Sequence, residues 1–202
     1  VAQALARWFT EELPVQMSEI DYWQAVKKRL YQLMLDENYK IGKYGKERGI
    51  QLGTTVSVVL MLSSEKYIVL HIGDSRIYCM NDQEIRQITE DQTIIASEIK
   101  AGRLTPKQAE TDPRRNVLLQ CVGASPRLQP VLMQGRLKQG LSFLLCTDGF
   151  RRKVISEEIH DYLRPGITRT EEEMKNKLIQ LTELSKERQE QDNISSILIK
   201  VV

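Results

Sequence analysis

The chain has 202 residues, 41% of them hydrophobic and 28% charged, and its formal net charge is only +2. That length and apolar content fit one sizeable globular domain. The near balance of charge gives no reason to expect nucleic acid or a membrane surface as partner, no apolar stretch approaches a bilayer span, and the first residues as they stand carry no signal-peptide pattern.

Ala4, Leu5, Trp8 and Phe9 follow helical spacing. Nothing before Val1 could cap that helix, which leads to the expectation that further residues precede it. A second helix is announced by Asp21 and Gln24 as a capping box, with Val26, Leu30, Leu33 and Met34 as its buried stripe. Strands are predicted at Thr55–Leu62, Lys66–Ile72, Arg76–Met80 and Glu84–Ile88, with Asn81-Asp82 turning the last hairpin. Ile94, Ile95 and Ile99 suit a short helix stopped by Gly102, and Thr105-Pro106-Lys107-Gln108 supplies a cap, a first-turn proline and a capping-box partner. An insertion of two short helices over residues 89–115 is the kind of connector that carries recognition, or else a packed link.

Further strands are predicted at Asn116–Val122, Gln129–Gln134 and Ser142–Cys146. A helix starts at Ser156 with Glu157 and Glu158 at its positive end, and stops before Pro165. A long helix begins at Thr168 or Thr170 with Met174, Leu178, Leu181 and Leu184 as its stripe, and a last strand runs over Ile194–Ile199. Strands in runs, with helices grouped around them, argue an α+β fold. Cys79, Cys121 and Cys146, an odd number set in apolar runs, read as reduced core residues of a cytosolic protein. With two histidines and no Cys-x-x-Cys, a structural zinc site has little support.

Three acidic turns stand out, each at the mouth of an apolar run. Gly73-Asp74-Ser75-Arg76 closes one strand, Thr147-Asp148-Gly149 closes another, and Asp192-Asn193 opens the last. A carboxylate at a strand end is rigidly held yet reaches the sheet edge, and three together would make a hard, oxygen-rich site of the kind Mg²⁺ or Mn²⁺ prefers. Any one of these turns alone is an ordinary turn former. Arg151-Arg152-Lys153 follows directly, either as a solvated basic loop or as a rim that draws in phosphorylated or acidic peptides.

In order and context, Gly53-Thr54-Thr55, Gly-Asp-Ser-Arg, Leu-Leu-Cys-Thr-Asp-Gly and Gln-Asp-Asn before a β-branched strand resemble the type 2C metal-dependent protein phosphatases. The bacterial serine/threonine branch is the nearest likeness. It implies a four-layer α-β-β-α sandwich of two antiparallel sheets, with residues 1–202 a single catalytic domain lacking its first strands and 89–115 its flap. It implies two catalytic Mn²⁺ or Mg²⁺ ions and a third, weaker one, with hydroxide bridging the catalytic pair attacking phosphoserine or phosphothreonine. Asp148 and Asp192 would hold the first metal, Asp74 with Asp148 the third, and Asn193 would orient Asp192 beside Gly149. Arg76 would be structural, pairing with a carboxylate nearby.

The resemblance further implies a cytoplasmic, monomeric enzyme acting on phosphoproteins and opposing a serine/threonine kinase. The family's opening segment, with its Asp-Gly-x-Gly-Gly-His motif and phosphate-binding arginine, has no counterpart here, and neither His71 nor His160 stands at a matching position. The rival expectation is therefore an inactive module of the same fold that binds phosphoproteins. Thr147, Phe150 and Leu141 replace a usual serine, leucine and acidic residue without touching an expected ligand.

Overall fold

The computed structural model describes residues 1–13, 19–61 and 65–202. In chain order the elements are α1 (Ala2–Glu11), α2 (Glu19–Arg48), β1 (Val56–Met61), β2 (Lys66–Ile72), β3 (Arg76–Met80), β4 (Ile85–Gln87), α3 (Ile94–Lys100) and α4 (Pro106–Ala109). β5 (Val131–Arg136), β6 (Ser142–Cys146), α5 (Asp148–Arg151), α6 (Ser156–Leu163), α7 (Glu171–Glu187) and β7 (Ser196–Lys200) complete the chain. The strands form two antiparallel sheets with grouped helices, so the α+β class is as expected.

The chain divides into two compact units. The first comprises Val1–Met61, Tyr67–Gly73 and Gln92–Gly135. Its sheet has the order β1-β2-β5, with Val56 opposite Ile72 and Met61 opposite Tyr67. The 30-residue α2 extends about 45 Å at the usual helical rise. Its expected stripe is buried throughout, joined by Trp23. Lys27 ties it to β5 by donating to Gln134 Oε1 at 2.9 Å, and Asn38 clamps a loop by accepting from Gly123 N at 2.7 Å and donating to the Ser125 carbonyl at 3.0 Å. His71 is buried and pairs through Nδ1 with Ser57 Oγ at 2.9 Å, a structural place.

The second unit comprises Leu62–Lys66, Asp74–Asp91 and Arg136–Val202. Its sheet has the order β4-β3-β6-β7. β6 is central and buried at four of its five positions, which is why Ser142–Cys146 reads as a continuous apolar run. Tyr78, Met80, Leu144 and Cys146 form one core cluster with Phe150, Val154, Ile159, Leu163 and Leu181 from the helices. Capping fixes the helix starts: Thr170 and Glu173 form a capping box that opens α7, while the Thr168 hydroxyl donates to the Leu163 and Arg164 carbonyls instead.

Several expectations need correction. The second helix is already running at Glu19, so Asp21 and Gln24 lie inside it and do not open it. The first helix forms where expected, with Trp8 buried and Phe9 46% exposed. Asn116–Val122 is not a strand. Its backbone bonds are isolated bridges and make no ladder, with Ile94 N donating to Val117 O and Leu119 N to Gln92 O; Val122 is buried while Val117 and Leu119 are exposed. β5 begins after Pro130, two residues later than expected, because proline has no N–H to give a ladder. The predicted end of the first strand, Leu62, lies outside the described residues.

Candidate functional site

Asp74, Asp148, Asp192 and the arginines around them all belong to the second unit. The antiparallel register brings two acidic turns to one end of the sheet. Cys146 stands opposite Ser196, so the turn leaving β6 and the turn entering β7 lie side by side. Thr147 clips them together: its N–H donates to the Ser195 carbonyl at 3.0 Å, and its hydroxyl accepts from Ser195 N at 3.1 Å. Asp148 then opens the single turn α5, accepting from Gly149 N at 2.9 Å. Asp192 accepts from Asn193 N at 2.8 Å. The contact from Asn193 to Asp192 is thus made by its backbone N–H.

Asp148 and Asp192 converge on one cation. The Arg152 guanidinium is in contact with Asp148 Oδ2 and lies 3.5 Å from Asp192 Oδ2. Two hard, anionic oxygen donors on rigid turns, already sharing a positive charge, suit a divalent ion. They are only part of a ligand set. Among the described residues, no group of three or more His, Cys, Asp and Glu side chains is gathered closely enough to hold a metal ion.

Asp74 comes to the same neighbourhood by another route. Arg76 stands opposite Cys146, so the turn before β3 lies next to the turn after β6. Burial, and then the negative charge of Asp148, pushes the Asp74 carboxyl above the ordinary aspartate range. Asp148 thus stands near both other aspartates, sharing Arg152 with Asp192 and bearing on Asp74 through its charge.

Of the basic residues after Gly149, Arg151 is turned inward. Arg151, 13% exposed at its side chain, donates through Nη2 to the Asp74 carbonyl at 3.0 Å and to Asp91 Oδ2 at 3.1 Å. Arg76 forks onto the same Asp91, with both contacts at 2.8 Å, and donates to Tyr78 Oη at 3.0 Å. Burial works against the Arg76 charge, but hydrogen bonding to Asp91 outweighs it and raises its pKa. Of the three expected rim residues, Arg151 and Arg152 are engaged with carboxylates and Lys153 is exposed. Asp91 and Glu190 were missed in the sequence, where neither sits in a recognisable turn at a strand mouth. The pairing of Arg76 with a carboxylate was foreseen, its partner was not.

The other titratable candidates are structural. Burial pushes the Cys146 thiol up to about 12, which leaves it inert, and all three cysteines are free. His160 bonds to the Asn81 carbonyl at 2.9 Å.

These elements define an α+β protein that presents carboxylate turns at one end of an antiparallel sheet. A family model described as Protein phosphatase 2C matches residues 1–191, and the chain belongs to that family. It is similar to the protein phosphatase PhpP of Streptococcus pneumoniae, with 32% identity over 151 residues, covering 74% of this chain and 61% of the relative. It resembles the solved serine/threonine phosphatase of S. agalactiae with a TM-score of 0.83 at 23% identity, over 99% of this chain and 80% of that one. The catalytic domain of serine threonine protein phosphatase PstP in complex with 2 manganese ions superposes with a TM-score of 0.75 at 25% identity, over 98% of this chain and 76% of that one. The chain thus spans less than two thirds of the length of the curated relative PhpP.

Proposed function

We propose that the protein is a divalent-metal-dependent phosphatase of phosphoserine and phosphothreonine in proteins. The observation that carries this reading is the convergence of Asp148 and Asp192 on one cation, in a chain matched by the Protein phosphatase 2C model over residues 1–191. Asp148 and Asp192 would hold a shared ion, with Asp74 and Asp148 on a weaker one. The ions seen with PstP make Mn²⁺ the first to test, with Mg²⁺ beside it. When bound, such ions supply an acidified water and neutralise charge on the phosphoryl oxygens.

The rest is the work of the chain itself. Thr147 and Gly149 hold the two carboxylate turns at a fixed spacing, which positions the donors before any ligand arrives. Asn193 N and Gly149 N donate to the carboxylates, fixing which oxygens face the shared cation. Arg151 and Arg76, through Asp91, hold the turn that carries Asp74. In this reading residues 1–202 are one catalytic domain with 89–115 as its flap, and the partners are phosphoproteins and the kinase that made them. Three free cysteines, and the lack of any helix among the described residues long and apolar enough to cross a membrane, are compatible with a cytoplasmic monomer.

The test uses the full-length protein, a chromogenic aryl phosphate and a phosphothreonine peptide. Hydrolysis should need added Mn²⁺ or Mg²⁺ and vanish in Asp192→Asn. Activity that survives exhaustive chelation would sink the metal assignment. Tight phosphopeptide binding without turnover would favour the inactive module.

A further inference from the structure

Arg152 does more than sit among acids. Its guanidinium touches Asp148 and lies 3.5 Å from Asp192, and the same Nη1 that faces Asp192 is 3.7 Å from Glu190 Oε1. Glu190 is unusual. Its side chain is only 4% exposed, and Oε1 accepts from the backbone N–H groups of Gln191 and Asp192 at 3.0 Å each. Its other oxygen, Oε2, is buried with no hydrogen-bond partner among the described residues. A buried carboxylate oxygen left unpaired is expensive, so this position calls for a donor in some state of the protein. A donor of suitable shape stands beside this carboxylate in Arg152, whose Nη1 is 3.7 Å from Oε1 and whose guanidinium fork can take both oxygens of a carboxylate at once.

We propose that Arg152 is a built-in counter-cation that holds Asp148 and Asp192 in the metal-free protein and shifts onto Glu190 when a divalent ion takes its place. The inference rests on the reading of Asp148 and Asp192 as metal ligands. A guanidinium and a divalent ion cannot both lie between the same two carboxylates, because their charges repel at that distance. Metal uptake is therefore an exchange of cations. The shift is short, since Nη1 already faces both Asp192 and Glu190. Arg152 keeps the acidic turns from repelling one another while empty, and it weakens the site for metal by the cost of its own displacement. Glu190, by receiving the displaced charge, lowers that cost.

The experiment measures Mn²⁺ binding to the full-length protein by titration calorimetry, with thermal melts with and without Mn²⁺. Arg152→Gln should bind Mn²⁺ about tenfold more tightly than wild type, the size expected when partly exposed ion pairs no longer have to be broken. The same variant should melt lower than wild type without Mn²⁺ and recover in its presence. Glu190→Gln should bind about threefold more weakly, because the displaced arginine has lost its anion. A purely structural arginine would lower both melts alike and leave the affinity unchanged. If Arg152→Gln binds no more tightly while Asp192→Asn loses binding, the exchange is overturned and the metal reading stands. If Asp148→Asn and Asp192→Asn both bind Mn²⁺ like wild type, the metal reading fails and the exchange fails with it.

Discussion

Gly149 approaches the carbonyl of Asn193 so closely that a Cβ built on it would stand 2.6 Å from that oxygen, and 3.2 Å from the Asp192 Cβ. The glycine that follows one metal-candidate aspartate is thus the seat for the turn carrying the other. In the sequence Asp-Gly reads as a turn signal, but the demand at this position is for close approach between two turns.

Gly149→Ala should therefore push the two turns apart. The neighbour is backbone and cannot rotate away, so a loss of about 1–3 kcal/mol is expected, as for other overpacked sites. Mn²⁺ binding should weaken in the same variant, since both carboxylates move. Urea denaturation and a Mn²⁺ titration check the two effects. Unchanged stability would show that the turns can slide past one another and that the spacing is not fixed here.

Asp148 and Asp192, facing one cation, should behave as a unit. Asp148→Asn and Asp192→Asn are each expected to cut turnover by orders of magnitude, with the double variant little worse, because residues that act together lose their function together. Steady-state kinetics at saturating Mn²⁺ decides the matter. Losses that multiply in the double variant would mean that the two serve different ions.

Away from the site, Glu158 links α6 to the end of α7. It accepts from both Arg188 Nη groups, at 2.6 and 2.8 Å, and from Ile155 N at 3.0 Å. Hydrogen bonding to Arg188, then to the backbone, holds its carboxyl down at about 2. A lowered folded pKa means stability that is present above the ordinary glutamate range and is lost as pH falls towards 2. The pair is 28% and 40% exposed, so solvent screening keeps its contribution small. Glu158→Gln should lower the melting temperature slightly at pH 7, and the gap should shrink as pH falls through about 2. A gap between the two melting curves that stays constant with pH would rule out the ion pair as its source.

The strand mouths were legible because apolar runs and turn residues report burial and chain reversal locally, and β2, β3 and β6 came out at their expected bounds. The three aspartates were found by the same local signal. Asn116–Val122 misled because apolar content alone does not make a strand; that segment's carbonyls and N–H groups bond across loops that no pattern announces. Asp91 and Glu190 were invisible for a related reason. Their importance lies in which arginine reaches them, Arg76 and Arg151 for the first and Arg152 for the second, and such pairings are set by tertiary register. The inward turn of Arg151 likewise comes from α5, a single helical turn whose Asp148 had read as part of a loop.

Asp74 separates from the other two aspartates in its surroundings, and its replacement should read differently. Burial first, and the charge of Asp148 second, raise its carboxyl pKa. A raised folded pKa in an acid means that the ionised form is disfavoured, so stability rises as pH falls and ionised Asp74 opposes folding at neutral pH. Asp74→Asn should accordingly hold or raise the melting temperature of the metal-free protein. The contact from Arg151 to the Asp74 carbonyl is made to the main chain, so it survives the change. If Asp74 serves a weaker ion, turnover on protein substrate should fall and the Mn²⁺ concentration needed for full activity should change, while tight binding at Asp148 and Asp192 persists. If Asp74 only shapes the turn between Ile72 and Ile77, the loss should appear as lower stability with normal turnover once folded. Thermal melts beside a metal titration of activity distinguish the two, and a variant that melts much lower yet turns over like wild type would remove Asp74 from the metal site.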